Sequence, residues 1–307
     1  MTSADRLVDA LTARFSDKVR VKIPLAPYTS ARIGGPADVL ITANSADELS
    51  EIVSMLWNAK TGFFILGGGS NVLISDKGVR GITVLNRAKA VRFDNNNQPT
   101  VWAESGVILT NLANRCASKG LSGLEWAATV PGTIGGAVYG NTGAFGGEMA
   151  GNLVWVEMLT ASGREKWPVH KMGYGYRTSI LKRREINAIV LSCELTLKNA
   201  TKEEVPVKIE RFSKQRKTTQ PPGASMGSMF KNPAGDFAGR LIEAAGLKGT
   251  RIGKAEISPL HGNFFINHGK TQASDIRALI ELARRTVKEK FGVELELEIE
   301  LVGEWDV

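Results

Sequence analysis

Seven of the 19 residues from 129 to 147 are glycine, and this segment constrains the fold more than any other part of the chain. Each glycine in a helix interior costs about 1 kcal/mol relative to alanine, so an ordinary core helix cannot run through the whole segment. Glycine also lets the backbone approach a ligand closely. The segment therefore predicts a surface on which a flat ring or a pyrophosphate lies directly on the backbone. A glycine-rich loop packed on a neighbouring strand would show the same spacing, and this alternative stays open.

A second glycine cluster, Gly-Gly-Gly-Ser-Asn at residues 67–71, follows the apolar run 63–66, which is typical of a buried strand. Successive backbone N–H groups in such a loop form a concave anion site, and the side chains of Ser70 and Asn71 add donors. The loop is neither a G-x-G-x-x-G fingerprint leading into a helix nor a GK[ST] loop. It predicts a phosphate-binding loop, with a plain flexible turn as the alternative.

Length and charge bound the class of protein. The chain has 307 residues, enough for two domains, and a formal net charge of +8, which favours anionic partners. The densest basic stretch, 208–217, is typical of one solvated helix face, so we expect no nucleic-acid partner. No apolar run approaches the roughly 18–20 residues that cross a bilayer, so we expect no membrane partner. Two cysteines and three histidines without paired spacing predict no disulfide framework and no metal site, which is typical of a cytoplasmic protein.

The apolar patterns predict helices and strands in alternation. Ser45 with Glu48 three residues later forms a capping box for a helix through residue 57. Residues 274–291 carry one apolar stripe at helical spacing. Residues 293–301 alternate strictly between apolar and acidic side chains, which predicts a strand. The remaining expected helices are 109–119, 202–217 apart from Pro206, and 236–245, and a further strand is expected at 263–267.

Taken in order, seven motifs spread over most of the chain resemble the UDP-N-acetylenolpyruvoylglucosamine reductase family. Each motif alone is weakly specific, whereas the ordered set is highly specific. The motifs are TSARIGGPAD at 29–38, GGGSN at 67–71, PGTIGGA at 131–137, YGYRTS at 174–179, GSMFKNP at 227–233, LIEAAGLKG at 241–249 and LELEI at 295–299.

The resemblance implies an α+β fold with two domains. Residues 1–205 would form an FAD-binding domain of the vanillyl-alcohol-oxidase type, with two subdomains split near residue 75. Residues 206–307 would form a smaller α+β substrate-binding domain whose last strand returns to the N-terminal domain. The chain resembles the shorter subtype, which lacks a tyrosine-bearing loop insertion. The implied activity uses FAD and NADPH to reduce UDP-N-acetylglucosamine enolpyruvate to UDP-N-acetylmuramate, and we expect a monomer.

The resemblance also assigns residues. Ser228 matches the proton donor, Arg177 the arginine that holds the substrate carboxylate, and Glu298 the acid that assists enediolate formation. Glu298 shares its strand face with Glu294, Glu296 and Glu300, and only motif register singles it out. The implied substrate-binding residues are Arg177, Lys231, Asn232 and His261. The implied cofactor-binding residues are Gly67, Gly68, Gly69, Ser70, Asn71, Thr129, Pro131, Gly132, Ile134, Gly135, Gly136, Asn141 and Gly143.

Two other functions compete with this hypothesis. One is an oxidase of the same flavin fold that passes electrons to oxygen, which the set Ser228, Arg177 and Glu298 disfavours. The other is a non-catalytic protein that binds a UDP-sugar or a nucleic acid, suggested by the +8 charge. A colourless protein that binds no flavin would exclude both enzyme hypotheses.

Overall fold

Two separate hydrophobic cores organise the chain in the computed structural model, which describes residues 3–95 and 98–305. Each core belongs to one of two compact units. The first unit consists of the residues up to Val19, Ile41–Gly68 and Val84–Gln215. The second unit consists of Arg20–Leu40, Gly69–Thr83 and the residues from Arg216 onward.

The first unit contains most of the helices and strands. It holds α1 (Ser3–Phe15), α2 (Ala46–Asn58), β3 (Phe63–Leu66), β6 (Val91–Asp94), β7 (Thr100–Glu104), α3 (Leu109–Ser118), β8 (Leu121–Ser122), α4 (Ile134–Gly140), β9 (Gly143–Ala144), β10 (Gly147–Glu148), α5 (Met149–Asn152), β11 (Leu153–Thr160), β12 (Gly163–Pro168), β13 (Ile189–Thr196) and β14 (Lys198–Asn199). Four elements continue along the chain from one unit into the other: β1 (Val19–Pro24), β2 (Pro36–Ala43), β5 (Val79–Asn86) and α6 (Glu204–Thr219).

A five-stranded antiparallel sheet forms the centre of the first unit, in the order β12-β11-β13-β7-β6. The central strand β13 is largely buried, and α4 packs against it. This packing places the glycine-dense segment directly on the apolar face of the sheet.

The helix boundaries follow the sequence signals. The Ser45 hydroxyl accepts a hydrogen bond from the Glu48 N–H at 3.1 Å at the start of α2, and the Glu48 carboxylate accepts from the Asn44 N–H at 2.9 Å. These bonds satisfy amides that the first turn leaves unpaired. Pro206 lies in the first turn of α6, where no intrahelical N–H bond is needed, so the helix includes it.

The second unit is assembled around one long helix. Its elements are β4 (Val72–Ile74), α7 (Ala238–Ala244), β15 (Arg251–Ile252), β16 (Ala255–Ile257), β17 (Phe265–Asn267), α8 (Ala273–Phe291) and β18 (Glu300–Val302). The strands β15, β16 and β17 form an antiparallel sheet, and β18 pairs in parallel with β4. The apolar stripe of α8 is buried from Ile276 to Val287, as its spacing predicts, whereas its last member, Phe291, is exposed. None of the described helices is long and apolar enough to cross a membrane.

Residues 293–301 do not form the continuous strand that their alternation predicts, and this expectation was wrong. Leu295 and Ile299 are buried, as the period of two requires, but only Glu300–Val302 is a strand. The reason is a change of hydrogen-bonding partner. The carbonyl of Glu296 and the N–H of Glu298 bond to residues 229–231, whereas the N–H of Glu300 bonds to Asn71. The backbone bends where it moves from one neighbour to the other.

The compact units also differ in extent from the expected domains. We expected a boundary near residue 205, whereas the units meet along the chain at residue 215, and residues 20–40 and 69–83 group with the C-terminal part. Ala31, Ile33 and Leu73 contribute to the second core, which explains the grouping. The last strand pairs with β4, a strand of the N-terminal third of the chain.

Candidate functional site

The helix α4 carries the centre of the glycine-dense segment. Thr133 caps it by accepting a hydrogen bond from the Gly136 N–H at 3.5 Å, and Asn141 ends it in the left-handed conformation, with φ of 46°. Asparagine tolerates this conformation better than most residues do. Ile134 and Val138 point into the core, so Gly136 and Gly140 lie on the other side of the helix.

Gly136 and Gly140 leave one face of α4 without side chains. They are four residues apart and therefore lie on the same face. A Cβ at Gly136 would meet only the Thr133 hydroxyl, at 3.7 Å, and a Cβ at Gly140 only the Thr142 hydroxyl, at 3.9 Å. Neither glycine has a positive φ, so neither packing nor backbone conformation requires glycine there. A bare helix face of this kind fits a flat ring that lies against the backbone, as FAD would require.

The two glycine clusters meet in the first unit. A Cβ at Gly68 would lie 2.9 Å from the Gly132 Cα, and a Cβ at Gly67 would lie 2.5 Å from the Thr133 hydroxyl oxygen. The backbone of Gly68 therefore lies directly against that of Gly132, and Gly67 lies against the Thr133 side chain. Thr129 and Pro131 precede this contact in the same segment. The structure thus brings together the cofactor-binding residues that the sequence predicts on either side of the contact.

Arg177 lies in a tight turn that is fastened to α4. The backbones of Gly175 and Thr178 exchange two hydrogen bonds of 3.2 Å, and Arg177 between them has φ of 53°. The Asn141 amide donates to the Gly175 carbonyl at 3.1 Å. Two further bonds join the flanking residues to α4: the Ser179 hydroxyl to the Tyr139 carbonyl at 2.6 Å, and the Tyr174 hydroxyl to the Val138 carbonyl at 2.9 Å. The predicted arginine is thus held beside the predicted cofactor segment.

In the second unit, residues 228–231 lie between two neighbouring segments. On one side, Ser228 forms a β-bridge with Phe264, and the Met229 N–H donates to the Asn263 carbonyl at 2.8 Å. On the other side, the Glu298 N–H donates to the Met229 carbonyl at 2.9 Å, and the Lys231 N–H donates to the Glu296 carbonyl at 2.8 Å. The segments that carry Ser228 and Glu298 are therefore direct neighbours.

Burial divides the four acidic residues of this segment into two pairs, since Glu298 and Glu300 are half-buried and Glu294 and Glu296 are exposed. Glu298 is half-buried next to Met229, whereas Glu294 is exposed and pairs with Lys288 at 2.5 Å. Glu296 pairs with Lys231. Asn71, predicted to bind the cofactor, donates its side-chain amide to the Glu298 carbonyl at 3.1 Å and so also holds this segment. Gly69 and Ser70 belong to the same unit as Asn71.

The predicted substrate-binding residues of the second unit have protein partners of their own. The Lys231 ammonium is largely buried and forms an ion pair with the exposed Glu296 carboxylate. The side-chain oxygen of Asn232 accepts from the Ala238 N–H at 3.1 Å, at the first residue of α7. His261 Nδ1 accepts from the Asn263 N–H at 3.2 Å, so the neutral ring carries its hydrogen on Nε2. Burial lowers the pKa of the His261 imidazole below its ordinary value.

Asn263 is a residue of this site that the sequence analysis did not single out. Its side chain bonds to both backbone groups of Phe230, and only 3% of it is exposed. The sequence does carry a signal, since a polar amide that begins the apolar run Phe-Phe-Ile is buried only when it is fully hydrogen-bonded.

Comparisons with known proteins agree over nearly the whole chain. Residues 37–167 match the model of an FAD binding domain, and residues 218–302 match that of the UDP-N-acetylenolpyruvoylglucosamine reductase C-terminal domain. UDP-N-acetylenolpyruvoylglucosamine reductase from Chloroflexus aggregans is 42% identical over 289 residues, covering 92% of this chain and 97% of that protein. The Bacillus subtilis protein of that name is 36% identical over 301 residues, covering 97% and 99%.

A solved structure is similar as well. The crystal structure of UDP-N-acetylenolpyruvylglucosamine reductase from Thermus caldophilus is 36% identical and superimposes with a TM-score of 0.78, covering 92% of this chain and 99% of that one.

Proposed function

This chain belongs to the UDP-N-acetylenolpyruvoylglucosamine reductase family, and from that premise we propose which of its residues carry the reaction. The protein is an FAD-dependent oxidoreductase that uses NADPH to reduce UDP-N-acetylglucosamine enolpyruvate to UDP-N-acetylmuramate in peptidoglycan precursor synthesis. Its fold is α+β and joins an FAD-binding domain of the vanillyl-alcohol-oxidase type to the family's C-terminal domain. Membership in this family excludes the two competing functions, the oxidase and the non-catalytic binding protein.

The reaction needs a cation and a proton donor from the protein. FAD, when bound, would supply the redox chemistry, which is hydride transfer from NADPH to C3 of the enolpyruvyl group. Negative charge then develops at C2 and in the substrate carboxylate, where preorganised donors stabilise it most. We assign the carboxylate to Arg177, whose planar fork suits two oxygens and stays charged throughout. Ser228 delivers the proton to C2, and Glu298 assists the formation of the enediolate.

The first unit offers the residues that would hold FAD. The bare face of α4 with Gly136 and Gly140 would accommodate the isoalloxazine ring, and the backbone at the contact of residues 67–68 with 132–133 would bind the pyrophosphate. Asn141 holds the end of α4 to the turn of Arg177, so the cofactor surface and the arginine are positioned by one hydrogen-bond network. The remaining cofactor-binding assignments, Ile134, Gly135 and Gly143, lie in or next to α4.

The nucleotide would be bound by residues of the second unit. We propose that the diphosphate takes the place of the Glu296 carboxylate on the Lys231 ammonium, because both are anions for the same cation. Asn232 and His261 would also bind the nucleotide, and the His261 Nε2–H would donate a hydrogen bond to it.

The neighbouring positions of residues 228–231 and 296–298 are the observation that supports these roles. Anaerobic stopped-flow with the FAD-loaded enzyme tests them in two half-reactions: reduction of the flavin by NADPH, then reoxidation by UDP-N-acetylglucosamine enolpyruvate. In Ser228→Ala we expect nearly normal reduction and reoxidation slowed by about 10²–10⁴-fold, the usual contribution of a positioned proton donor. Equal slowing of both half-reactions would contradict the role of Ser228.

We propose further that the protein acts in the cytoplasm as a monomer, without a nucleic-acid or membrane partner. Cys116 and Cys193 are both buried and free, which fits a reducing compartment. Light scattering on the purified protein tests the oligomeric state. Depletion in the parent bacterium tests whether cell shape and division depend on the enzyme, as a role in wall synthesis requires.

A further inference from the structure

A side chain, rather than the backbone of a neighbouring segment, holds the backbone of Phe230. Ser228 and Met229 pair with Phe264 and with the Asn263 carbonyl, but the chain on that side provides no backbone partner for Phe230. The Asn263 side chain takes this place. Its amide nitrogen donates to the Phe230 carbonyl at 2.8 Å, and its amide oxygen accepts from the Phe230 N–H at 2.9 Å. One amide thus satisfies both backbone groups of a residue that is 1% exposed.

The Asn263 amide holds a stretch of backbone next to the residues to which we assign proton donation and nucleotide binding. Ser228 lies two residues before Phe230 in the chain, and Lys231 follows it directly. On the opposite side, residues 296–298 are bonded to the same stretch, so Asn263 and these residues hold residues 229–231 from both sides. The Phe230 ring packs edge-on against Phe265 at 6.2 Å. The stretch between Ser228 and Lys231 therefore has little freedom to shift.

We propose that Asn263 is a positioning residue that sets the Ser228 hydroxyl against C2 of the substrate through the backbone of Phe230. A proton donor acts only within hydrogen-bond reach of the atom it protonates, and a displacement of 1 Å can slow a reaction about 10²-fold. The inference rests on the proposed role of Ser228. It adds a residue that does not touch the reacting atoms.

Asn267 offers a matched control. It is a buried asparagine of the same segment, 9% exposed, and its amide donates to the Ala31 carbonyl at 2.8 Å and accepts from the Gly269 N–H at 2.7 Å. Replacing either asparagine by alanine removes a buried side chain that bonds to backbone groups, two of them for Asn263 and four for Asn267. A loss of stability alone would therefore appear in both variants, whereas an effect on Ser228 would appear only in Asn263→Ala.

The experiment compares Asn263→Ala, Asn263→Asp and Asn267→Ala with the wild type, each loaded with FAD, by anaerobic stopped-flow and thermal unfolding. In Asn263→Ala we expect reoxidation by UDP-N-acetylglucosamine enolpyruvate to slow about 10²-fold, and reduction by NADPH to stay within about twofold. In Asn267→Ala we expect a similar fall in Tm with both half-reactions close to the wild type.

The variant Asn263→Asp allows a measurement, the pH dependence of reoxidation, that a purely structural role would not change. It also tests the proposal if the alanine variant fails to fold. A neutral carboxyl group can donate to the Phe230 carbonyl and accept from its N–H as the amide does, whereas the carboxylate can only accept. We therefore expect slow reoxidation at pH 8 that recovers toward the wild type as the pH is lowered to about 6, since burial raises the pKa of a carboxyl group. The wild type should show no such recovery.

Two failures are distinguishable. If Ser228→Ala slows reoxidation but the Asn263 variants do not, or if they slow both half-reactions equally, the positioning role is wrong and the proposed function stands. If Ser228→Ala leaves reoxidation unchanged, the role of Ser228 is wrong and the inference about Asn263 falls with it.

Discussion

Arg177, which we propose binds the substrate carboxylate, has an uncommon backbone conformation. Only a few per cent of non-glycine residues have a positive φ, and such residues concentrate at functional sites, where the surrounding structure holds them. Here the paired backbones of Gly175 and Thr178 and the bond from Asn141 hold the turn. The backbone conformation is thus fixed before any substrate binds, so the turn need not rearrange when Arg177 meets a carboxylate.

For Arg177→Lys we expect reoxidation by the enolpyruvyl substrate to slow by about 10²-fold or more, because a point charge cannot replace the two-pronged donor. Reduction by NADPH should change little, and stopped-flow measures both. Arg184→Lys is the control, since Arg184 is an exposed arginine with a similar φ of 59°. Turnover like that of the wild type in Arg177→Lys would show that another cation holds the carboxylate.

The lowered pKa of the His261 imidazole predicts that the stability of the folded protein depends on pH. Burial lowers the pKa of its imidazole in the folded protein, so the unfolded chain binds a proton at a higher pH than the folded protein does. The stability from neutral His261 is therefore complete above the unfolded pKa of about 6.5 and is lost as the pH falls through the lower folded value. In thermal unfolding, the fall in Tm between pH 7.5 and pH 5.5 should be smaller for His261→Gln than for the wild type. An equal fall in both proteins would contradict this effect.

At the scale of elements, α4 is a helix whose glycines serve different purposes. A Cβ at Gly136 would meet only a threonine hydroxyl, whereas a Cβ at Gly135 would lie 2.9 Å from the Ser105 Cβ. Gly135 is therefore needed for close packing inside the protein. Gly136 is not, and the bare surface at this position is available for a ligand.

Gly136→Ala should leave the apoprotein as stable as the wild type or up to about 1 kcal/mol more stable, since alanine favours helix formation. Its affinity for FAD should nevertheless fall, because a methyl group would stand where the ring lies. Fluorescence titration with FAD and thermal unfolding without FAD measure the two effects. Gly135→Ala is the control and should destabilise the apoprotein. If Gly136→Ala binds FAD like the wild type, the ring does not rest on this face.

Local patterns predicted the long elements and failed where hydrogen-bonding partners change. The helices α2 and α8 and the strand β3 lie where capping, periodicity and apolar runs place them, because each depends on residues close in sequence. The alternation of residues 293–301 correctly predicted that Leu295 and Ile299 are buried, but Leu301 is exposed, and the bend between two partners was not predicted. In the candidate site, the motifs selected Ser228 and Arg177, whose roles stay predictions, whereas Asn263 was missed because its side chain bonds to Phe230, 33 residues away.

At the scale of the whole molecule, the second unit is built from three separate parts of the chain. Leu73, Ala31 and Ile33 are buried among C-terminal residues. The Asp76 carboxylate accepts hydrogen bonds from the Ala273 and Ser274 N–H groups at 2.7 and 2.9 Å and so caps α8. No periodicity within residues 206–307 could indicate this dependence, because the missing partners lie far away in the sequence.

A fragment of residues 216–307 should therefore fail to fold cooperatively, although it contains every element from α7 to β18. It lacks three buried apolar side chains, the strand β4 that pairs with β18, and the Asp76 carboxylate, which caps α8 in addition to the capping box of Gln272 and Asp275. Burying one leucine or isoleucine contributes about 1.5–3 kcal/mol and a cap about 1 kcal/mol, so the loss is comparable to the 5–15 kcal/mol that stabilises a typical domain. Circular dichroism during heating should show a gradual change without a cooperative transition. The full chain with Asp76→Ala loses the cap alone and should keep a cooperative transition at a slightly lower Tm. A sharp transition in the fragment would show that its C-terminal residues form a complete folding unit by themselves.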